Sequence, residues 1–306
     1  MRRAVIGIVG VQYLAALVIE AVSGFRYSPP LGVFLTAALA LSIFALGGVA
    51  ALAVVRAMIQ KSEPMHAVKS ALDVDIPFIY FMVAAQFAVL GWLKAAMPFS
   101  VGFRSDAFLA NLDAAIFGTD PWRLLQWLPA GIFDQAYITW AWSTILLMLI
   151  LPLLPQTVVR NRALVTYFLV VSSCSLGQYL LPSAGPIFYE RIGLGERFAD
   201  LPVQPWVQVT SDYLWTNYLS RGELVGAGIS AFPSLHVAGA AWVAIVVSNY
   251  LNPLKWLAWA YFTLLMFGSV LLGWHYAIDG IAGTLIALAA WKLTARSAKR
   301  ALPVAS

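Results

Sequence analysis

The chain has 306 residues, 61% of them hydrophobic and 11% charged, with a mean hydropathy of +0.81 and a formal net charge of +5. A soluble domain carries about 25% charged residues, so the composition excludes a soluble globular protein and points to a polytopic membrane protein. The positive excess is spread over many loops, which speaks for charge asymmetry across a bilayer and not for nucleic acid as a partner. Cys174 is the single cysteine, so no intrachain disulfide can form, and no Cys/His cluster reads as a zinc site.

Apolar runs predict eight membrane-spanning helices, at 4–22, 31–55, 76–97, 135–154, 163–181, 234–251, 256–273 and 277–293. Ser28-Pro-Pro30, Pro64, Pro98, Pro155, Pro182 and Pro253 separate them. The first run follows Arg2-Arg3. It is longer than a signal-peptide core, and Glu20-Ala-Val-Ser23 makes a poor cleavage site, so it reads as a retained span. The expected fold is all-α, a polytopic membrane bundle with added interfacial helices. It forms one membrane-embedded domain over 1–306, with a catalytic core at about 163–293.

Loop charges set the expected orientation. With the N-terminus in the cytoplasm, 12 of the 19 basic residues fall inside, against only three of the 14 acidic ones, Glu63, Asp73 and Asp75. Both termini are then cytoplasmic. Two long segments fall outside. In 99–134, Asp106 to Asp113 and Trp122 to Trp127 alternate apolar and polar residues at helical spacing, as expected of helices lying at the interface. The second, 182–230, is rich in Gly, Pro and aromatic residues and reads equally as a lid over a site or as a structural cap.

That second loop leads into Ala231-Phe-Pro-Ser-Leu-His236. A second histidine stands 39 residues on, in Gly273-Trp-His275-Tyr-Ala-Ile-Asp279. At about 20 residues per span, 39 residues is one crossing out and one back, so both histidines belong to one face. The loop charges independently place that face outside. His275 and Asp279 are four apart, on one side of a helix, where the carboxylate can orient the imidazole and support a positive charge developing on it. That makes His275 a candidate nucleophile and His236 a candidate acid and base. Pro233 is expected in the first turn of the next helix. There the free amides and the Ser234 hydroxyl form an anion site suited to attack at phosphorus. Ionisable groups inside membrane segments are costly and usually functional. The competing physical reading is a proton or ion pathway. His66, in a charged loop, reads as solvated, Glu20 as reaching the interface, and Asp73 and Asp75 as helix-end caps.

Pro233-Ser-Leu-His236 with His275-x-x-x-Asp279 resembles the last two signature motifs of the type 2 phosphatidic acid phosphatase superfamily. The His-Tyr-x-x-Asp form, Ser183-Ala-Gly-Pro186 and Phe117-Gly-Thr-Asp-Pro-Trp122 look most like its inositol phosphorylceramide synthase branch. The resemblance implies that His275 forms a phosphohistidine, Asp279 orients it, and His236 protonates the leaving group, without a metal or other cofactor. The family's first motif, Lys-x6-Arg-Pro, is not present, and Ser269 stands where an arginine is expected six residues before His275. Arg191 is the first candidate for the missing phosphate-binding cation, with Arg221 and Arg104 as alternatives.

The resemblance and the residues together imply a lipid phosphatase if water resolves the intermediate. They imply a phosphotransferase if an alcohol such as a ceramide or another lipid hydroxyl does. The expected partners are a lipid phosphate substrate, a lipid-alcohol acceptor and membrane lipids. The expected home is a bacterial inner membrane with the site facing outward. The rival reading is a non-catalytic lipid-handling or transport protein of the same fold; an inverted repeat would favour transport, and the two halves show none.

Overall fold

The computed structural model describes the chain apart from Tyr27, residues 222–227 and residues 301–306, and for 296–300 it describes the backbone alone. Thirteen α-helices and no strand occur among the described residues. They are α1 (Arg2–Ser23), α2 (Leu31–Gln60), α3 (Pro64–Ala71), α4 (Asp75–Ser100), α5 (Asp106–Phe117), α6 (Pro121–Leu125), α7 (Ala130–Ile138), α8 (Trp140–Ile150), α9 (Val158–Gly177), α10 (Pro205–Leu219), α11 (Leu235–Tyr250), α12 (Lys255–Leu271) and α13 (Ala277–Arg300).

All eight expected spans are helical, and six of the segments are long and apolar enough to cross a membrane. The two exceptions have sequence causes. α11 is only 16 residues long, and α9 carries Arg160, Arg162 and three serines near its ends. Pro98 does not end its helix, as expected of a breaker; it sits in the last turn of α4.

The short helix α11 is the axis of the bundle. Every residue from Val237 to Val246 is buried, so it is apolar all round, as a helix enclosed by others must be. α8, α9, α12 and α13 surround it. Small residues set the closest approach. A Cβ on Gly283 of α13 would collide with the Ser234 carbonyl oxygen at the start of α11. α2 lies outside, packed on α3 and α4, with Leu39, Ile43 and Phe44 exposed as a lipid-facing surface.

Polar side chains join the helices where no water can. The Gln86 side-chain amide donates to Gln12 Oε1 (3.0 Å), the Phe168 carbonyl (3.0 Å) and Ser172 Oγ (3.2 Å), and Gln12 donates to Ser175 (2.7 Å). This ties α1, α4 and α9 together, as interhelical hydrogen bonds do in membranes. At the end of the bundle away from the histidines, fully buried Arg160 donates to the Leu151 and Pro152 carbonyls and pairs with Asp73, while Arg2 pairs with Asp75. Asp73 accepts from the Asp75 amide at the start of α4 (2.8 Å), as expected of an end cap, and both aspartates also hold arginines from other helices.

Candidate active site

His236 is the second residue of α11 and His275 lies in the turn joining α12 to α13. The fold brings them together, with His236 Nδ1 and His275 Nε2 3.2 Å apart. The 39-residue spacing therefore marks one site. Ser234 caps α11, its Oγ accepting from the Val237 amide at 3.2 Å. Pro233 precedes the cap, so it lies outside the first turn where it was expected. The anion-binding potential of the helix start remains, in the free amides of Leu235 and His236.

His275 and Asp279 do not share a helical face. α13 begins at Ala277, and Asp279 sits in its first turn. Asp279 Oδ2 accepts from the Tyr276 amide at 2.9 Å, the backward reach of a capping box. His275 Nδ1 stands 3.6 Å from that oxygen, beyond hydrogen-bond range. His275 Nδ1 and Asp279 Oδ1 are both buried without a hydrogen-bond partner among the described residues.

The two histidine turns are clamped by a third strand of backbone that the sequence flagged only as Ser-Ala-Gly-Pro. The Ser183 carbonyl and hydroxyl accept from the amides of Ala231 (2.9 Å) and Phe232 (3.1 Å), and the Ile187 amide donates to the Gly273 carbonyl (2.8 Å). Gly185 has φ 103°, and a Cβ there would sit 2.6 Å from the Trp274 carbonyl oxygen, so only glycine fits between the two turns.

α5 holds this assembly from outside. Asp106 accepts from the amides of Ala184 and Gly185 and from the Tyr276 hydroxyl. Asp113, seven residues later on the same face, accepts from the amides of Ala277 and Ile278 at the start of α13. Both carboxylates are buried. Burial raises each above the ordinary carboxylate range, against the lowering effect of these hydrogen bonds. α5 was expected to be interfacial; one of its faces is a fastening for the site. The seven-residue spacing of its two acids was the available signal.

Two further side chains enter the site unannounced. Tyr137 of α7 places its hydroxyl 2.6 Å from His236 Nδ1. That nitrogen therefore serves two neighbours, as acceptor toward the phenol or as donor toward His275 Nε2. Lys94, near the end of α4, lines the cavity beside both histidines. The backbone at Gly228 passes so close that a Cβ there would meet the Lys94 backbone carbon at 2.8 Å. Burial first, and then the positive charge of Lys94, push the His275 imidazole down to about 3. The free site thus holds His275 neutral, the form a nucleophile needs.

The cavity has a volume of about 300 Å³, and Tyr137, Trp140, Phe188, Trp206, Tyr213 and Trp274 give it largely aromatic walls. The Trp140 ring lies 4.1 Å from that of His236, centroid to centroid. Arg191 is not in this wall; its guanidinium pairs with Asp212. Arg104 is likewise absent from the wall, and Arg221 lies over the Phe99 ring. Ser269 turns its carbonyl to the His275 amide at 3.1 Å, so its place is taken up by backbone support.

Residues 109–293, more than half of the chain, match the PAP2 superfamily. No curated protein and no solved structure matches the chain. The matched region begins at α5 and takes in both histidines, Asp279 and the Ser183–Pro186 tract, but Lys94 precedes it. With an all-helical membrane fold around a paired-histidine cavity, the chain belongs to the PAP2 superfamily, whose activity is of the phosphatase and phosphotransferase kind on lipid phosphates.

Proposed function

We propose that this protein moves the phosphoryl group of a lipid phosphate or phosphodiester through a phosphohistidine on His275, at the extracytoplasmic face of a bacterial inner membrane. The 3.2 Å approach of His236 to His275 carries the reading. The lone pair of His275 Nε2 attacks phosphorus, the ester P–O bond breaks, and His236 gives its proton to the departing alkoxide. Water or an alcohol then attacks phosphorus and gives its proton to His236. The P–N bond breaks and its electrons return to His275. Asp279 supports the positive imidazolium-like charge that His275 carries while phosphorylated.

Lys94 is our first assignment for the cation that holds the phosphate, because among the described residues it alone of the lysines and arginines lines the cavity. The amides of Leu235 and His236 add donors at the helix start that Ser234 caps. Arg191, which would have to leave Asp212, is the second assignment.

A single cation and aromatic walls suit a phosphodiester or a bulky lipid headgroup better than a compact dianionic monoester. This supports transfer to a lipid alcohol, as in the inositol phosphorylceramide synthase branch that Ser183-Ala-Gly-Pro186 resembles. Purified protein in detergent, given a panel of lipid phosphates with and without a lipid-alcohol acceptor, tests this. A new phospholipid appearing only with acceptor supports transfer, and release of inorganic phosphate alone supports hydrolysis. Activity unchanged in His275→Ala, or no turnover of any lipid, overturns the proposal and favours a lipid-handling protein without catalysis. Activity abolished by a chelator would show that the metal-free scheme is wrong.

A further inference from the structure

A second, larger recess opens at the other end of the bundle. It has a volume of about 720 Å³ and runs between α1, α9 and α13, a size suited to a ligand. α1 contributes Ala4, Gly7, Ile8 and Val11, spaced as one helical face, and α9 contributes Val158, Val165 and Leu169 in the same manner. From Arg3 to Val11 the apolar wall extends about 12 Å along the helix axis. The recess is remote from the histidines. Gly177, at the other end of α9, abuts Pro233 beside His236, and it stands about 24 Å along the helix from Asn161.

The end of this groove is polar, and its polarity has one sign. Arg3 and Arg162 line it, and no acidic residue does among the described residues. Their neighbours Arg2 and Arg160 are neutralised by Asp75 and Asp73. Arg3 is exposed and has no ion pair among the described residues. Arg162 is braced in place: its guanidinium lies 3.6 Å over the Trp291 ring, and Nε and Nη2 donate to the Trp291 carbonyl. Between them Asn161 Oδ1 is buried with no hydrogen-bond partner. Two cations and an unused acceptor thus stand at the head of an apolar trough.

We propose that this groove binds one anionic phospholipid, with its phosphate on Arg3 and Arg162, a headgroup hydroxyl donating to Asn161, and an acyl chain along Val11 and Leu169. A zwitterionic lipid meets the same trough but brings an ammonium group toward two arginines.

Native mass spectrometry of full-length His275→Ala, which removes the proposed turnover of lipid, tests this with phosphatidylglycerol and phosphatidylcholine as probes. One phosphatidylglycerol should stay on each chain while phosphatidylcholine does not, and excess inorganic phosphate should not displace it. Arg3→Gln should weaken retention by about tenfold, the effect of losing one charged contact. Because Arg162 also supports α13, Gly7→Trp provides the second variant. Gly7 lines the trough and a Cβ there meets nothing within 4 Å, so a side chain at this position starts unobstructed, and the indole should fill the trough and abolish retention. Equal retention of the two lipids, displacement by inorganic phosphate, or retention undiminished in Arg3→Gln or Gly7→Trp would overturn the proposal.

Discussion

Asp279 Oδ2 accepts a hydrogen bond from the Tyr276 amide at 2.9 Å yet lies 3.6 Å from His275 Nδ1. The carboxylate is committed to the backbone of the turn and only adjacent to the imidazole. Small closure of that gap would engage it when His275 becomes positively charged, since hydrogen bonds at catalytic groups often tighten only in the reacting complex. Asp279→Asn keeps an oxygen for the Tyr276 amide but loses the charge. It should leave the melting temperature nearly unchanged and lower kcat by about three to four orders of magnitude, as the analogous change does in a Ser-His-Asp triad. Steady-state kinetics beside a thermal melt checks both halves.

Tyr137→Phe removes the phenol from His236 Nδ1 and keeps the ring stacked beside Trp274. With one hydrogen bond of about 1 to 1.5 kcal/mol lost, kcat should fall by about tenfold. KM should change little, and the pH profile of kcat should shift because the removed partner acts on His236. A profile superimposable on wild type would remove Tyr137 from the site's proton chemistry.

Lys94→Gln takes away the one lysine or arginine in the cavity wall among the described residues. A charge-assisted hydrogen bond contributes about 1.5–3 kcal/mol, so kcat/KM should fall by about 10- to 150-fold. Lys94→Arg keeps the positive charge and should lose less than Lys94→Gln does. If Arg191→Gln proves the more damaging change, the two assignments exchange places.

Asp106→Ala strands the amides of Ala184 and Gly185 and the Tyr276 hydroxyl in a buried place. With each unsatisfied donor costing about 1–3 kcal/mol, the change should destabilise the fold by about 3 kcal/mol or more. A lowered midpoint of thermal unfolding, together with lost activity, is the expected result.

Stability should also depend on pH through His275. Its pKa in the fold is depressed to about 3 by burial and by Lys94, against about 6.5 in an unfolded chain. Between those values the unfolded chain binds the additional proton, so stability is full above about pH 6.5 and declines as pH falls toward 3. Melting midpoints recorded from pH 7 to pH 4 should decrease, and His275→Gln should flatten part of that slope.

Much of this was legible in residues close together in sequence. Apolar runs located the helices, six of them in segments long and apolar enough to span, and the distance from His236 to His275 is one helix out and one back. Lys94 was hidden because it belongs to an apolar run and meets the loop at Gly228 only in the folded bundle. The roles of Asp106 and Asp113 depend on backbone amides at 184–185 and 277–278, far along the chain, and amides leave no mark in a sequence. The four-residue spacing leaves His275 and Asp279 3.6 Å apart but not on one helical face, because α13 starts two residues after His275 and a turn replaces the expected helix.

α11 has 16 residues, a length of about 24 Å, against a hydrocarbon layer of about 30 Å. The axis of the bundle is therefore about 6 Å shorter than such a layer is thick, and His236 rides on its end. The helix at the axis thus ends early, and the space beside its first turn is the cavity, walled by Trp206, Val207 and Tyr213 of α10.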